Sequence, residues 1–144
     1  GFASEKTETL VGIVDSHHRS GKGFNTFIKP GQKTSVRKGV FEGKDLPEVG
    51  SWVELVCAAD SEELEVLEAV PTHERQEKNI EWAQGELSVH PKGFAFVNDT
   101  FVPPHLVNSE WNGKVIRVLQ VFDINPKKGE CSWRAIKIAE TADQ

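Results

Sequence analysis

No apolar run in this 144-residue chain approaches the roughly 18 residues needed to cross a bilayer, so a membrane-spanning helix is excluded and no membrane partner is expected. Cysteine is scarce. Cys57 and Cys131 lack the CxxC spacing of a metal or redox site, and their late-strand contexts read as those of buried thiols. A disulfide between them stays open, but nothing else in the sequence suggests an oxidising compartment. Positive charge is also short. The formal net charge of −5 argues against binding that rests on bulk positive potential, so affinity for nucleic acid would have to be local. The amino-terminal GFASEKTET reads as a polar tail rather than a basic-then-apolar leader. Secretion is therefore unsupported, and an intracellular location, cytoplasmic or nuclear, is expected.

The residues of catalysis are missing as well. There is no GxSxG elbow, no phosphate-cradling glycine loop and no dinucleotide fingerprint. The acidic residues of the second half are scattered, without the closely spaced aspartates that two-metal phosphodiester chemistry requires. His17 and His18 share a turn, while His73, His90 and His105 are far apart, and none has a companion cysteine or carboxylate at ligand spacing. A binding protein without a cofactor or metal is expected, not an enzyme.

What is present is a soluble globular composition, 38% apolar and 27% charged, in a chain long enough for one ordinary domain or two small ones. Charge is segregated along it. Residues 19–38 carry Arg19, Lys22, Lys29, Lys33, Arg37 and Lys38 without an acidic residue, whereas 60–68 carry Asp60, Glu62, Glu63, Glu65 and Glu68.

An internal repeat decides for two domains. Gly12-Ile13-Val14 matches Gly85-Glu86-Leu87, and Lys22-Gly23-Phe24 matches Lys92-Gly93-Phe94. Further on, Val40-Phe41, Leu46 and the string Gly50-Ser51-Trp52-Val53 parallel Thr100-Phe101, Leu106 and Asn112-Gly113-Lys114-Val115. Short alternating or β-branched runs between Gly, Pro, Asn and Asp turns are the pattern of an antiparallel meander or small barrel. The expected organisation is all-β: a first barrel over 8–72, a linker over 73–83 that forms a short helix if anything does, and a second barrel over 84–140.

Alternate side chains on a strand share a face, so Phe94 and Phe96 project together, with Phe101 on the next strand. Ala95 and Val97 suit the interior of a small barrel. The phenylalanines are then candidates for an outer stacking platform, with a core role as the alternative, and Lys92 and His90 lie beside them. Trp52 and Trp133 sit in apolar strand patterns and read as core or inter-barrel residues. Trp82 and Trp111 lie near turns, where they could pack the linker.

The segment KGFAFV resembles the first RNP motif of cold-shock domains, and DTFVPPHL resembles the second motif with its turn. The longer string GELSVHPKGFAFVNDTFVPPHLV is similar to the cold-shock-like OB domain of RNase II-type exoribonucleases. The likeness is good over roughly 84–139 and weaker over 8–72, where FNTF replaces the aromatic-small-aromatic string and PGQKTSVRKG is inserted. It implies two tandem five-stranded antiparallel OB/cold-shock-like barrels that bind single-stranded nucleic acid, RNA before DNA, as part of an RNA-processing or ribonucleoprotein factor.

In such a module Phe94, Phe96 and Phe101 would stack bases and Lys92, His90 and His105 would flank the groove. The first barrel would add Phe24 and the cations Arg19, Lys22, Lys33, Arg37 and Lys38. The first strand of the second copy lacks the family's aromatic and has Val89-His90 instead. Phe24 and Phe27, three apart, fall on opposite faces of an ideal strand unless a bulge intervenes. The rival reading is a protein-interaction module built on the same barrels.

Overall fold

The computed structural model describes residues 6–59 and 64–141, so Asp60, Glu62 and Glu63 of the acidic stretch lie outside it. The chain divides into two compact units, Gly1–Gln76 and Glu77–Gln144. Each is built from β-branched and aromatic runs that alternate between buried and exposed positions, the pattern that a curled sheet with one dry face imposes.

The first unit contains β1 (Thr7–His17), β2 (Gly23–Lys29), β3 (Gln32–Arg37), β4 (Trp52–Ala58) and β5 (Glu65–Pro71). They form one five-stranded sheet in the order β3-β2-β1-β4-β5. A single parallel bridge, Phe41 to Ala69, draws the chain after β3 against β5, so this sheet is a half-barrel. Its core holds Val14, Phe24, Ile28, Val36, Val53, Leu55, Cys57 and Ala69.

The second unit contains β6 (Ile80–Val89), β7 (Ala95–Val97), β8 (Thr100–Val102), β9 (Val115–Asn125) and β10 (Glu130–Glu140). These close into a barrel in the order β10-β8-β7-β6-β9, sealed by the parallel pairing of Arg134 with Phe101. Leu87, Ala95, Val97, Val102, Ile116, Val118 and Ala135 fill it. At one end Gln120, 4% exposed, accepts a hydrogen bond from Thr100 Oγ1 and donates from Nε2 to Glu81 Oε1 at 3.1 Å, so the buried amide is satisfied.

The two strand orders are the same cyclic arrangement, and the hydrogen bonds repeat residue for residue. Val14 donates to Ser51 O (2.9 Å) and Gly50 to Val14 O (2.8 Å); Leu87 donates to Lys114 O (2.9 Å) and Gly113 to Leu87 O (2.8 Å). Gly50 therefore corresponds to Gly113, not to Asn112 as the sequence pattern suggests. Backbone conformation explains the choice: φ is +96° at Gly50 and +84° at Gly113, where a side chain is strained.

Residues 73–83 hold no helix; Ile80–Ala83 are the first residues of β6, which starts after Asn79 at φ +64°. The helix-forming side chains of that stretch yield to the pairing of Ile80 with Val121 and Trp82 with Leu119. Among the described residues no helix is long and apolar enough to cross a membrane.

Both cysteines are free thiols, Cys57 buried and Cys131 exposed, so the reading of two buried thiols holds only for the first. Burial, with the Glu8 carboxylate adding to it, pushes the Cys57 thiol up. Because only the folded state raises it, stability is kept at neutral pH and declines as pH rises through the thiol's ordinary range. A thiol reagent at mildly alkaline pH should label Cys131 in the native protein and Cys57 only on unfolding; equal native labelling would contradict its burial. Phe24, wholly buried and edge-on to Phe41 at 5.5 Å, anchors the first core. Phe24→Ala should cost about 3–5 kcal/mol in denaturant unfolding, and a loss below about 1 kcal/mol would place the ring elsewhere.

Candidate functional site

A two-residue turn sets the register of the aromatic site. Val97 pairs with Thr100 across Asn98-Asp99, and Asn98 takes φ +55°, which asparagine tolerates. Its Nδ2 donates to Gln84 O at 3.3 Å and ties the turn to β6. Phe96 is thereby placed directly opposite Phe101. Ala95, Val97, Thr100 and Val102 all point inward and are buried, so the two phenylalanines point outward, 40% and 37% exposed.

Phe94 comes just before β7, half-buried, with its ring centroid 5.8 Å from that of Phe96 and 5.6 Å from that of Phe101. Phe96 and Phe101 are 5.9 Å apart. The ring planes meet at 77° and 71°, edge to face, for Phe94–Phe96 and Phe96–Phe101, and at a tilted 60° for Phe94–Phe101, so no two rings are stacked face to face. His90 packs on Phe94 at 4.3 Å and 37°, fixed by the turn in which His90 N–H donates to Phe94 O at 2.7 Å. Four rings thus share one outer surface, His90, Phe94, Phe96 and Phe101, with exposed Lys92 in the turn beside them.

The structure adds one cation that the sequence does not single out. Arg134 on β10 lies in register beside Phe101, and its Nη2 donates to Asp123 Oδ2 at 3.2 Å. Its proximity arises from the parallel β8–β10 closure, which joins residues too far apart for any local motif to show. His105, by contrast, lies exposed on the 3-10 turn Pro104–Leu106, without a ring contact or hydrogen bond to the cluster.

Among its described residues the first unit carries no equivalent platform. The turn hydrogen bond His18 N–H to Gly23 O spans one more residue than its counterpart, His90 N–H to Phe94 O. That extra residue shifts the phase of β2 relative to β7. Phe24, opposite His17 and Val36, takes the inward place that Ala95 takes opposite Val89 and Val102. The expectation that Phe24 binds is therefore corrected: the ring is core.

Phe27 is paired with Ile13 and both are buried, so neither of the first unit's strand phenylalanines is offered to a ligand. The outward places matching Phe96 and Phe101 belong to Asn25 and Ser35. These are held in a polar network: His18 Nε2 lies 3.1 Å from Asn25 Oδ1 and 3.0 Å from Ser35 Oγ, and Asn25 Nδ2 donates to Ser16 Oγ at 3.0 Å.

The cations of this unit do gather. Gly23 pairs with Arg37, and Lys38 N–H donates to Lys22 O at 2.9 Å, which brings Lys22, Arg37 and Lys38 to one end of the β2–β3 ribbon, close to the turn bearing Arg19. Lys33 stands toward the other end, opposite Phe27, and is exposed like the rest. Trp52 is half-buried on β4, and Trp133 half-buried against Phe122 at 5.1 Å. Trp111 packs on the second core, whereas Trp82, read from the sequence as packing a linker, is 44% exposed. Among the described residues no group of three or more His, Cys, Asp or Glu is placed to hold a metal ion.

Residues 81–138 match the family described as S1/CSD-like domain 2 of the TOTE conflict systems, a stretch that takes in the whole aromatic cluster and Arg134. No curated protein matches the chain. The family likeness and the strand order agree on an OB/cold-shock-like fold for the second unit, a nucleic-acid-binding class of module.

Because Phe96 and Phe101 lie outside both cores, Phe96→Ala and Phe101→Ala should each shift thermal stability by the equivalent of about 1 kcal/mol or less. A loss as large as that of a core phenylalanine in calorimetry would assign them a packing role.

Proposed function

We propose that this chain is a non-catalytic module that binds single-stranded RNA, the second barrel stacking bases on its aromatic cluster and the first barrel presenting a basic surface of its own suited to phosphate. The observation that carries the reading is the exposed cluster of Phe94, Phe96, Phe101 and His90 on the outer face of β7 and β8, next to Arg134. Phe96 and Phe101 are 40% and 37% exposed and His90 is exposed too, which a barrel does not need for its own stability, since Ala95, Val97, Thr100 and Val102 already fill the interior behind them.

Exposed aromatic rings favour unpaired bases, each of which presents a π-face, and they cannot reach bases stacked inside a duplex. Lys92 supplies local positive charge that the net charge of −5 does not, and Arg134, ion-paired with Asp123, sets a guanidinium on the strand beside Phe101. In the first barrel, Arg19, Lys22, Lys33, Arg37 and Lys38 are exposed around a polar surface while Phe24, Phe27 and Phe41 are buried, which suits sugar-phosphate contact rather than stacking. The match of residues 81–138 to an S1/CSD-like domain supports single-stranded nucleic acid as the ligand. The resemblance of KGFAFV and its surroundings to the RNase II cold-shock-like domain favours RNA and a role in RNA processing.

Fluorescence anisotropy with labelled oligo(U), oligo(A), oligo(dT) and a duplex, at low and moderate salt, tests this. Saturable binding to single strands that weakens with salt is expected, with the duplex excluded. Phe96→Ala and Phe101→Ala should each weaken binding about 5- to 150-fold, equivalent to about 1–3 kcal/mol per stacked base. Arg134→Gln should flatten the log–log salt slope by about 0.7, one phosphate contact on a single strand. Absence of binding, or binding indifferent to salt and to both phenylalanines, would favour a protein partner instead.

A further inference from the structure

The indole of Trp82 is 44% exposed near the start of β6, on a paired stretch of strand, and the platform makes no use of it. The alternation that exposes Phe96 also exposes Trp82. On β6, Trp82, Gln84, Glu86 and Ser88 are exposed while Leu87 is buried, and Ser88 is the cross-strand partner of Phe96. Trp82 therefore stands on the same outer strand face as the platform, a contour of about 20 Å along β6 at ~3.3 Å per residue.

It does not stand alone. Gln84 pairs with Arg117 and Trp82 with Leu119, so Arg117 is diagonal to the indole, and its guanidinium carbon lies 4.4 Å from the ring centroid. An exposed ring with a cation laid over it repeats the chemistry of the platform, where Phe101 has Arg134 beside it. Leu119, the cross-strand partner of Trp82, and Ile80, two residues back, are buried, so the accessible neighbours of the indole are exposed Gln84 and half-buried Arg117, polar and cationic, which suits a planar ligand carrying negative charge better than the apolar surface of a protein.

We infer that Trp82 and Arg117 form a second stacking station for the same nucleic-acid strand, Trp82 taking a base and Arg117 the adjoining phosphate. This rests on the single-strand reading of the Phe94, Phe96 and Phe101 cluster and extends its footprint. A path of about 20 Å corresponds to roughly six nucleotides at ~3.4 Å per stacked base, within the ~4–16 nucleotides that one OB fold covers. Glu86 lies on the intervening face and repels phosphate, so binding is concentrated at the two ends of the path.

The length dependence separates the two sites. Anisotropy titrations of the full chain use oligo(U) of about four and about twelve nucleotides, with Trp82→Ala, Trp82→Phe, Arg117→Gln and Phe96→Ala. Trp82→Ala should leave the short oligonucleotide unaffected and weaken the long one about 5- to 150-fold, while Trp82→Phe, which keeps a ring, retains most of the long-strand affinity. Arg117→Gln should weaken only the long strand and lower its log–log salt slope by about 0.7. Equal loss at both lengths, or no loss at either, would overturn the Trp82 station. Phe96→Ala should weaken both lengths; if it alters neither while the parent protein binds, the platform reading fails instead, whatever Trp82→Ala does.

Discussion

The pleat of β7 and β8 divides four small or β-branched side chains from two aromatic ones. Ala95, Val97, Thr100 and Val102 are buried within the second barrel, and the period of two that sends them inward sends Phe96 and Phe101 outward. A one-residue slip would reverse the two sets, leaving small residues outside and two phenylalanines in an interior too narrow for them. The Asn98-Asp99 turn fixes that register, and the parallel pairing of Arg134 with Phe101 closes the barrel around it. The exposed rings are thus a consequence of how this barrel satisfies its own core, and Arg134 arrives beside them because closure needs β10 there.

The first unit shows how little separates a platform from a plain surface. Its strands follow the same cyclic order and repeat the same turn hydrogen bonds. One additional residue between His18 and Gly23 changes which side chains face outward: Asn25 and Ser35 occupy the exterior where Phe96 and Phe101 sit in the second unit. Phe24 shares the first core with Phe41, packed edge-on to it, in a half-barrel where the chain after β3 meets β5 at the Phe41–Ala69 bridge. The cations remain outside, so the two units present different chemistry on matching faces.

Much of this is legible in the sequence. Alternation alone separates Ala95 and Val97 from Phe96, and turn residues at regular spacing mark most of the strands. The internal likeness leads one to expect two small all-β barrels, and the two five-stranded sheets agree with that. Three features are not legible, each for a physical reason. The inward turn of Phe24 depends on the number of residues within a loop, where a motif match such as Lys22-Gly23-Phe24 with Lys92-Gly93-Phe94 carries no information on phase. The strand at Ile80–Ala83 is decided by pairing with β9, against the helical preference of its neighbours. Arg134 and the Arg117–Trp82 contact depend on strands meeting across the barrel, so neither has a local signature.

Nitrogen-15 heteronuclear correlation spectra recorded during titration with an unlabelled oligo(U) test the central claim most directly, because base stacking imposes ring-current shifts only on nearby amides. Binding on the platform predicts shifts led by residues 90–102 and by Arg134, with the amides of Phe24 and Val36 in the first core unmoved. Shifts confined to the first unit, or spread evenly across both cores, would contradict an aromatic platform on the second barrel.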